Sequence, residues 1–453
     1  MTSLVSRLNL PEAIALSLSV ISPTVTAAFN ITLVVQAAGP AAPLTFAIGT
    51  VAMVLVAFSF MAFTHRVAHA GSAYAYIAHT FGSRAGFVAG WTLLLTYLGF
   101  ATGFAALVGS FTAAGLKGLS MDVGPGWVVI AIASMIMAWL LAYRDMKLSG
   151  WLMLGLEAAA VIGILTLCVC ILFRVQPTAA DVTASFQPSP RFGGWTGLGY
   201  GMVYSILCFA GFEGAATLGE ETINPRRNIP IALIGTVLFS GVFFMFVAYC
   251  EIAGFGPAGI RDLARSQAPL NDLALRYTSP ALAIGLDLAA ATSCFCGVLG
   301  CLAAAGRVLF ALGRAGLSPA LATVHPTHRT PAAAVSMTTL LIILPFLAAG
   351  PFVGAGDYYS YTSTIGVLAL ILVYIGVGSA EVLEAWRERQ QSWAVICTAG
   401  PLLLLWVLYR NIYPAPGFPN NIWPYFALAW MGGAWGLIRM RPAVAKAALP
   451  DYS

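Results

Sequence analysis

Charge is what this chain lacks. Its 453 residues carry 22 Lys and Arg and 17 Asp and Glu, so charged residues make up 9% of the sequence. Soluble globular proteins carry about 25%. A water-facing surface cannot be built from so few charges, which excludes a soluble enzyme, a nucleic-acid-binding domain and a disordered scaffold. Long polar segments are also missing, so the several soluble domains that this length would otherwise suggest are not expected. Cysteine is present but not clustered. Cys168, Cys170, Cys208, Cys250, Cys294, Cys296, Cys301 and Cys397 all lie in or at the end of apolar runs, where they read as small packing residues rather than disulfide or zinc ligands. There is no phosphate-binding glycine loop, zinc-protease motif or nucleophile elbow, so ATP-driven transport and hydrolysis have no support, and no enzyme activity is expected.

What is present is apolar length. Residues of apolar type make up 59% of the chain and the mean hydropathy is +0.86. A membrane-spanning helix needs about 20 mostly apolar residues. Twelve runs qualify, near 11–37, 42–63, 85–112, 125–143, 149–173, 198–219, 230–252, 280–311, 331–350, 358–380, 393–410 and 421–438. They are long and continuous, unlike the short alternating strands of a β-barrel. The first run is too long for a cleavable leader and no small-residue cleavage site closes it. With the N-terminus placed in the cytoplasm, inner connections hold fifteen Lys and Arg and outer ones seven, which predicts both termini inside. Two outer connections are long, 174–197 and 253–279, and the second is expected to form short interfacial helices.

A transporter must hold a polar solute at mid-membrane, where intact helices have no free backbone groups. A broken helix solves this, and two breaks at matching places in two halves mark the site. Span 1 contains Ser22-Pro23-Thr24-Val25-Thr26-Ala27-Ala28-Phe29, where Pro23 removes a backbone bond; a simple proline kink is the plainer alternative. Span 6 contains Cys208-Phe209-Ala210-Gly211-Phe212-Glu213-Gly214, with two glycines flanking a carboxylate; a Glu that only ties helices together is the alternative there. The breaks are five spans apart, as in two five-helix units of inverted orientation followed by two more helices. Glu157 in span 5 has no Lys or Arg within one turn. An isolated intramembrane carboxylate can carry a proton, or can bond structurally to backbone in span 1 or span 8. Asp287 in span 8 is a weaker candidate.

These segments resemble the amino acid–polyamine–organocation (APC) superfamily, in its amino acid permease type. The resemblance is carried by Gly211-Phe212-Glu213-Gly214-Ala215 with Glu221 and Asn224-Pro225-Arg226-Arg227-Asn228-Ile229-Pro230. Gly71-Ser72-Ala73-Tyr74-Ala75-Tyr76 before Phe81-Gly82 adds to it, as does Arg307-Val308-Leu309-Phe310-Ala311-Leu312-Gly313-Arg314-Ala315-Gly316 running to Pro319, His325-Pro326 and Thr330-Pro331. It covers about residues 10 to 410. It implies an all-α polytopic membrane protein of twelve transmembrane helices. These would form a 5+5 inverted repeat with helices 1 and 6 broken, repeat one about 11–173 and repeat two about 198–380, plus helices 11 and 12 at about 393–438, all in one transporter domain over 1–453. It further implies that segment 22–28, with Ser22, Thr24, Val25, Thr26 and Ala27, offers amides to a substrate carboxylate. Segment 209–213, with Phe209, Ala210, Gly211 and Glu213, would offer carbonyls to its ammonium, Phe209 lying near an aromatic gate. Glu157 falls where proton-coupled relatives often carry an ionisable residue, in some of them a Lys. Span 1 lacks the glycine-rich run of many members, and Cys301 is small where the arginine/agmatine exchangers have a large aromatic residue.

The expectation is a secondary importer of amino acids, by proton symport through Glu157 with alternating access, in the cell (inner, plasma) membrane. No cofactor or metal is expected, H+ being the coupling ion; the partners are the amino acid and the lipid bilayer, with no nucleic acid. An exchanger, a sodium-coupled carrier or a polyamine carrier of the same fold stays open, as does a membrane sensor or channel. His65, His69, His79, His325 and His328 fall in cytoplasmic connections, without a carboxylate or Cys to complete a metal site. Gly86/Gly90, Gly99/Gly103 and Gly197/Gly201 have the spacing that permits close helix contact, although chance alone yields such pairs among 46 glycines.

Overall fold

The computed structural model describes residues 10, 14, 18, 21–66, 73–144, 150–213 and 224–440. The predicted motif pieces at 71–72 and 214–223, with Glu221, lie outside the described residues, as does His69. Every regular element among the described residues is helical. In chain order they are α1 (Pro23–Val25), a π-helical turn (Thr26–Asn30), α2 (Ile31–Ala38), α3 (Ala42–Arg66), α4 (Ala73–Phe81), α5 (Ser83–Gly118), α6 (Trp127–Tyr143), α7 (Gly150–Val175), α8 (Ala179–Ser185) and α9 (Trp195–Phe209). Then come α10 (Pro225–Phe255), α11 (Ile260–Leu263), α12 (Pro269–Tyr277), α13 (Pro280–Arg314), α14 (Ala332–Val353), α15 (Ala355–Arg387), α16 (Gln391–Arg410) and α17 (Trp423–Met440). Short 3-10 turns join several of them.

Helix occupies part of each of the twelve expected runs. Among the described residues, nine stretches are long and apolar enough to cross a membrane. One of these, Pro23–Phe63, contains two expected spans separated by the turn at Gly39–Ala41. The expected spans outside the nine are α9, cut to 15 residues by the second break, and α17, 18 residues rich in Trp and Gly. The outer connection 253–279 folds as expected into short helices, α11 and α12, and the other, 174–197, holds the short helix α8, which the sequence reading did not anticipate.

Local chemistry explains the ends. Thr178 and Asp181 form a reciprocal capping box at the start of α8. At α13 the Ser279 hydroxyl accepts the Leu282 amide at 3.3 Å, and Pro280 occupies the first turn, where its missing N–H is harmless. Gly256 and Gly354, both at positive φ, end α10 and α14.

The site is positioned by α5. At 36 residues it extends about 54 Å, longer than the hydrocarbon core. Its most apolar window is 89% buried, whereas that of α6, on the periphery, is 22% buried. α5 packs chiefly against α13 and α15. Glycine allows the close approach. A Cβ at Gly99 would lie 2.6 Å from the Thr362 carbonyl oxygen, and one at Gly103 would lie 2.7 Å from the Thr362 hydroxyl. The Gly99/Gly103 pair is therefore a packing device between α5 and α15 and not a chance match.

Candidate solute site between two helix breaks

The first break is more than a proline kink. The Ser22 amide closes the preceding turn onto the Leu18 carbonyl at 3.1 Å, and Ser22 then adopts φ 53°, the left-handed region that non-glycine residues rarely occupy. Pro23 opens a new helix, where it sacrifices no bond. The Val25 amide returns to the Ser22 carbonyl at 3.1 Å, and a π-helical turn follows. Such a turn widens the helix and recurs at functional sites.

Glu157 of α7 holds this break. Its Oε1 accepts the Thr24 backbone N–H at 2.8 Å, and its Oε2 accepts the Ser293 hydroxyl of α13 at 2.7 Å. The Ser293 hydroxyl also meets the Ser22 hydroxyl at 2.5 Å. One buried carboxylate thus joins α7, α13 and both sides of the break. The bond to span 1 backbone anticipated for a structural Glu is present, whereas the partner in span 8 is a side-chain hydroxyl and not backbone.

The second break follows α9. Ala210 turns extended (ψ 130°), Gly211 takes φ 100°, and the Phe212 amide returns to the Phe209 carbonyl at 3.1 Å. Glycine is required at that φ. The Glu213 carboxylate folds back over the turn. Its Oε2 accepts the Gly211 amide at 3.1 Å and the Tyr374 hydroxyl of α15 at 2.8 Å.

A cavity of about 300 Å³ lies beside the two breaks, walled by α5, α13 and α15. In its wall the Phe104 ring lies against Gly297 and Tyr359, whose hydroxyl donates to Asn30 Oδ1 at 2.7 Å. Arg307, also in the wall, is exposed. Among its described lining residues, Glu213 is the one carboxylate. Of the residues expected at the site, Val25, Ala210, Gly211 and Glu213 line the cavity. Ser22, Thr24, Thr26, Ala27 and Phe209 are buried beside it and are not among its lining residues. Thr24 points its amide at Glu157, and Phe209 packs edge-on against Phe244 of α10 at 5.4 Å. Asp287 is buried and accepts from Asn271 of α12 at 2.5 Å, away from the cavity.

The sequence reading missed Asn30, Thr96, Tyr97, Phe100, Phe104, Ser293, Gly300, Tyr359 and Tyr374. All lie on spans apolar around most of their circumference, so periodicity gave no facing. The only available signal was polarity inside an apolar run, which Asn30, Thr96 and Ser293 share with many residues that bond only to their own helix.

A polytopic helical membrane protein whose two interrupted helices border a solute-sized cavity has the construction of a transporter. The comparisons agree. The chain matches the amino acid permease family over residues 8–434 and belongs to that family, a family of transporters and not of enzymes. It is 25% identical over 360 residues to the branched-chain amino acid permease BcaP of Lactococcus lactis subsp. cremoris, covering 74% of this chain and 75% of that one. It is 26% identical over 412 residues to the low-affinity putrescine importer PlaP of Escherichia coli, covering 86% and 85%. Among solved structures, the manganese transporter of Eremococcus coleocola superposes with a TM-score of 0.61 at 12% identity, covering 96% of this chain and 95% of that one, a likeness of fold.

Proposed function

We propose that this permease is a secondary active importer of amino acids, driven by proton symport through Glu157 and working by alternating access in the cell membrane with both termini cytoplasmic. The observation that carries the reading is the bond from Glu157 to the Thr24 amide, one residue from cavity-lining Val25. The coupling carboxylate and the solute cavity thus share one strand of backbone.

Hydrogen bonds to an ionised carboxylate are about twice as strong as neutral ones. Protonation of Glu157 weakens its hold on the Thr24 amide and on Ser293. The break is then less firmly tied to α7 and α13, and the Thr24 donor becomes available to a substrate carboxylate. The substrate ammonium is received by Glu213 and by the carbonyls of the Ala210–Gly211 turn. Proton and solute load together because both act on the same segment. The frame for this motion is two five-helix units, each beginning with a broken helix, in a single domain completed by α16 and α17. The partners are the amino acid, the proton and the bilayer.

Similarity to a putrescine importer raises a polyamine reading. A second ammonium would need a second carboxylate, and the described wall of the cavity offers Glu213 alone.

The test is uptake by purified protein in liposomes, with radiolabelled amino acids and polyamines and an inward proton gradient on or off. The expected result is saturable accumulation of an amino acid that collapses with the gradient. Uptake that ignores the gradient and requires internal amino acid would establish an exchanger and return Glu157 to a structural role.

A further inference from the structure

A second cavity, of about 670 Å³, is more than twice as large as the one beside the breaks and shares no lining residue with it. It lies between the connection 174–197 and the junction of α10 with α11. Its lining combines apolar side chains, Val175 of α7, Ile252 of α10 and Ile260 of α11, with the charged Arg191, Arg261 and Asp181. Both arginines are exposed, and among the described residues neither makes a hydrogen bond or an ion pair. Each is carried on anchored backbone. Phe192, next to Arg191, closes against Gly39, where its ring leaves no room for a Cβ, and Ile260, next to Arg261, is buried. Asp181 is the one carboxylate in the lining, and its Oδ2 already accepts the Thr178 amide and hydroxyl. Two free guanidinium groups beside one engaged carboxylate leave a positive charge without a partner.

The cavity lies at a membrane boundary. Val175 ends the membrane-crossing stretch Gly155–Val175, and Ile252 is close to the end of Arg227–Phe255. Phe173, two residues before Val175, is 76% exposed, and Val182 and Phe186, next in sequence to the lining residues Asp181 and Ser185, are exposed as well. Large bare apolar side chains flanking a charged cavity at the end of two spans mark the level where acyl chains meet headgroups. At that level the anion in reach is phosphate. The planar fork of arginine matches phosphate oxygens, and a phosphodiester carries the single negative charge that balances the surplus here.

We propose that this cavity binds the headgroup of an anionic phospholipid, with Arg191 and Arg261 on its phosphodiester and Val175, Ile252 and Ile260 against the start of its acyl chains. The bound lipid ties the connection 174–197 to the α10–α11 junction. A zwitterionic lipid binds less well, because the arginines repel its cation and Asp181 is engaged by Thr178.

The test is native mass spectrometry of the full chain in detergent, titrated with dioleoyl-phosphatidylglycerol, dioleoyl-phosphatidylcholine or the chain-free headgroup glycerophosphoglycerol. The variants are Arg191→Gln and Arg261→Gln. Arg174→Gln is the control, exposed at the same end of α7 but not in the lining. Phosphatidylglycerol should bind wild type about tenfold or more tightly than phosphatidylcholine does, and each lining variant should weaken it by about tenfold. Arg174→Gln should behave as wild type. The chain-free headgroup should bind about tenfold or more weakly than the lipid, having no apolar part to bury. Equal affinity for the two lipids, wild-type affinity in either lining variant, or an equal loss in Arg174→Gln would overturn the proposal. Chain-free headgroup bound as tightly as the lipid would assign the cavity to a soluble phosphodiester and overturn the lipid reading. A second measurement needs no variant. In wild type, phosphatidylglycerol should slow amide exchange in the connection 174–197 and in α11, and phosphatidylcholine should not; the same exchange in both lipids would also overturn the proposal.

Discussion

Replacing Glu157 by Gln tests the coupling step most directly. The side chain keeps its shape and can still accept the Thr24 amide through its carbonyl oxygen, while its amide can donate to the Ser293 hydroxyl that now donates to Glu157. Two bonds change from charge-assisted to neutral, from about 1.5–3 to about 0.5–1.5 kcal/mol each, so the group joining α7, α13 and the break loses roughly 2–3 kcal/mol of tethering while Thr24 and Ser293 each keep a bond. The variant imitates the proton-loaded carboxyl permanently. In a carrier moving one proton per solute, each pH unit of gradient supplies about 1.4 kcal/mol, a tenfold accumulation. Wild-type liposomes with two pH units of gradient should therefore approach about a hundredfold accumulation at zero membrane potential. Glu157→Gln should reach an inside-to-outside ratio of about one under the same gradient, since nothing is left to titrate, and should still exchange labelled for unlabelled substrate. The assay is the plateau of radiolabelled uptake beside counterflow in the same preparation. Full gradient-driven accumulation by Glu157→Gln would refute the coupling argument. Loss of counterflow together with accumulation would place Glu157 in the framework rather than in the coupling.

Three further outcomes follow from the geometry. Glu213→Ala leaves the Tyr374 hydroxyl and the Gly211 amide without their shared acceptor, at about 1–3 kcal/mol each; substrate binding should be abolished, and wild-type transport would remove Glu213 from the site. Gly99→Val forces a Cβ to within 2.6 Å of the Thr362 carbonyl oxygen; it should destabilise the α5–α15 contact by about 1–3 kcal/mol, seen as a lower melting temperature in detergent, and an unchanged Tm would contradict the packing assignment. Outside the membrane, Thr178 donates its amide and hydroxyl to Asp181 at 2.8 and 2.7 Å and holds that carboxyl below its ordinary range. A lowered pKa in the folded state means the cap contributes above the ordinary aspartate range and is lost as pH falls through the folded value. Amide-exchange protection at the start of α8 should decline on acidification in wild type and be insensitive to that change in Asp181→Asn.

The breaks show how far sequence reasoning reached. Ser22-Pro23 and Gly211-Phe212-Glu213 announce interruptions, because proline lacks an N–H, glycine tolerates positive φ and a carboxylate is costly in lipid. All of that is chemistry of single residues, and both interruptions are present in the fold. The direction in which each group of a break points is not such chemistry. The Thr24 amide, expected at the substrate, is taken by Glu157 from a helix more than 130 residues away, and Phe209 turns its ring to Phe244.

Composition and run length, by themselves, determined that this chain is a helical, multi-pass membrane protein, because too few charges and too many apolar residues leave no other solvent for it. Local residue chemistry determined where two helices fail. Only the tertiary structure decided which walls enclose the cavity. α5 is buried on nearly every side and α13 presents Gly300 to the cavity, so facing depends on long-range packing that no periodicity along one helix encodes. The same packing brings Glu157, Ser293 and Ser22 into one hydrogen-bonded group, since three segments far apart in the chain meet only when the bundle closes.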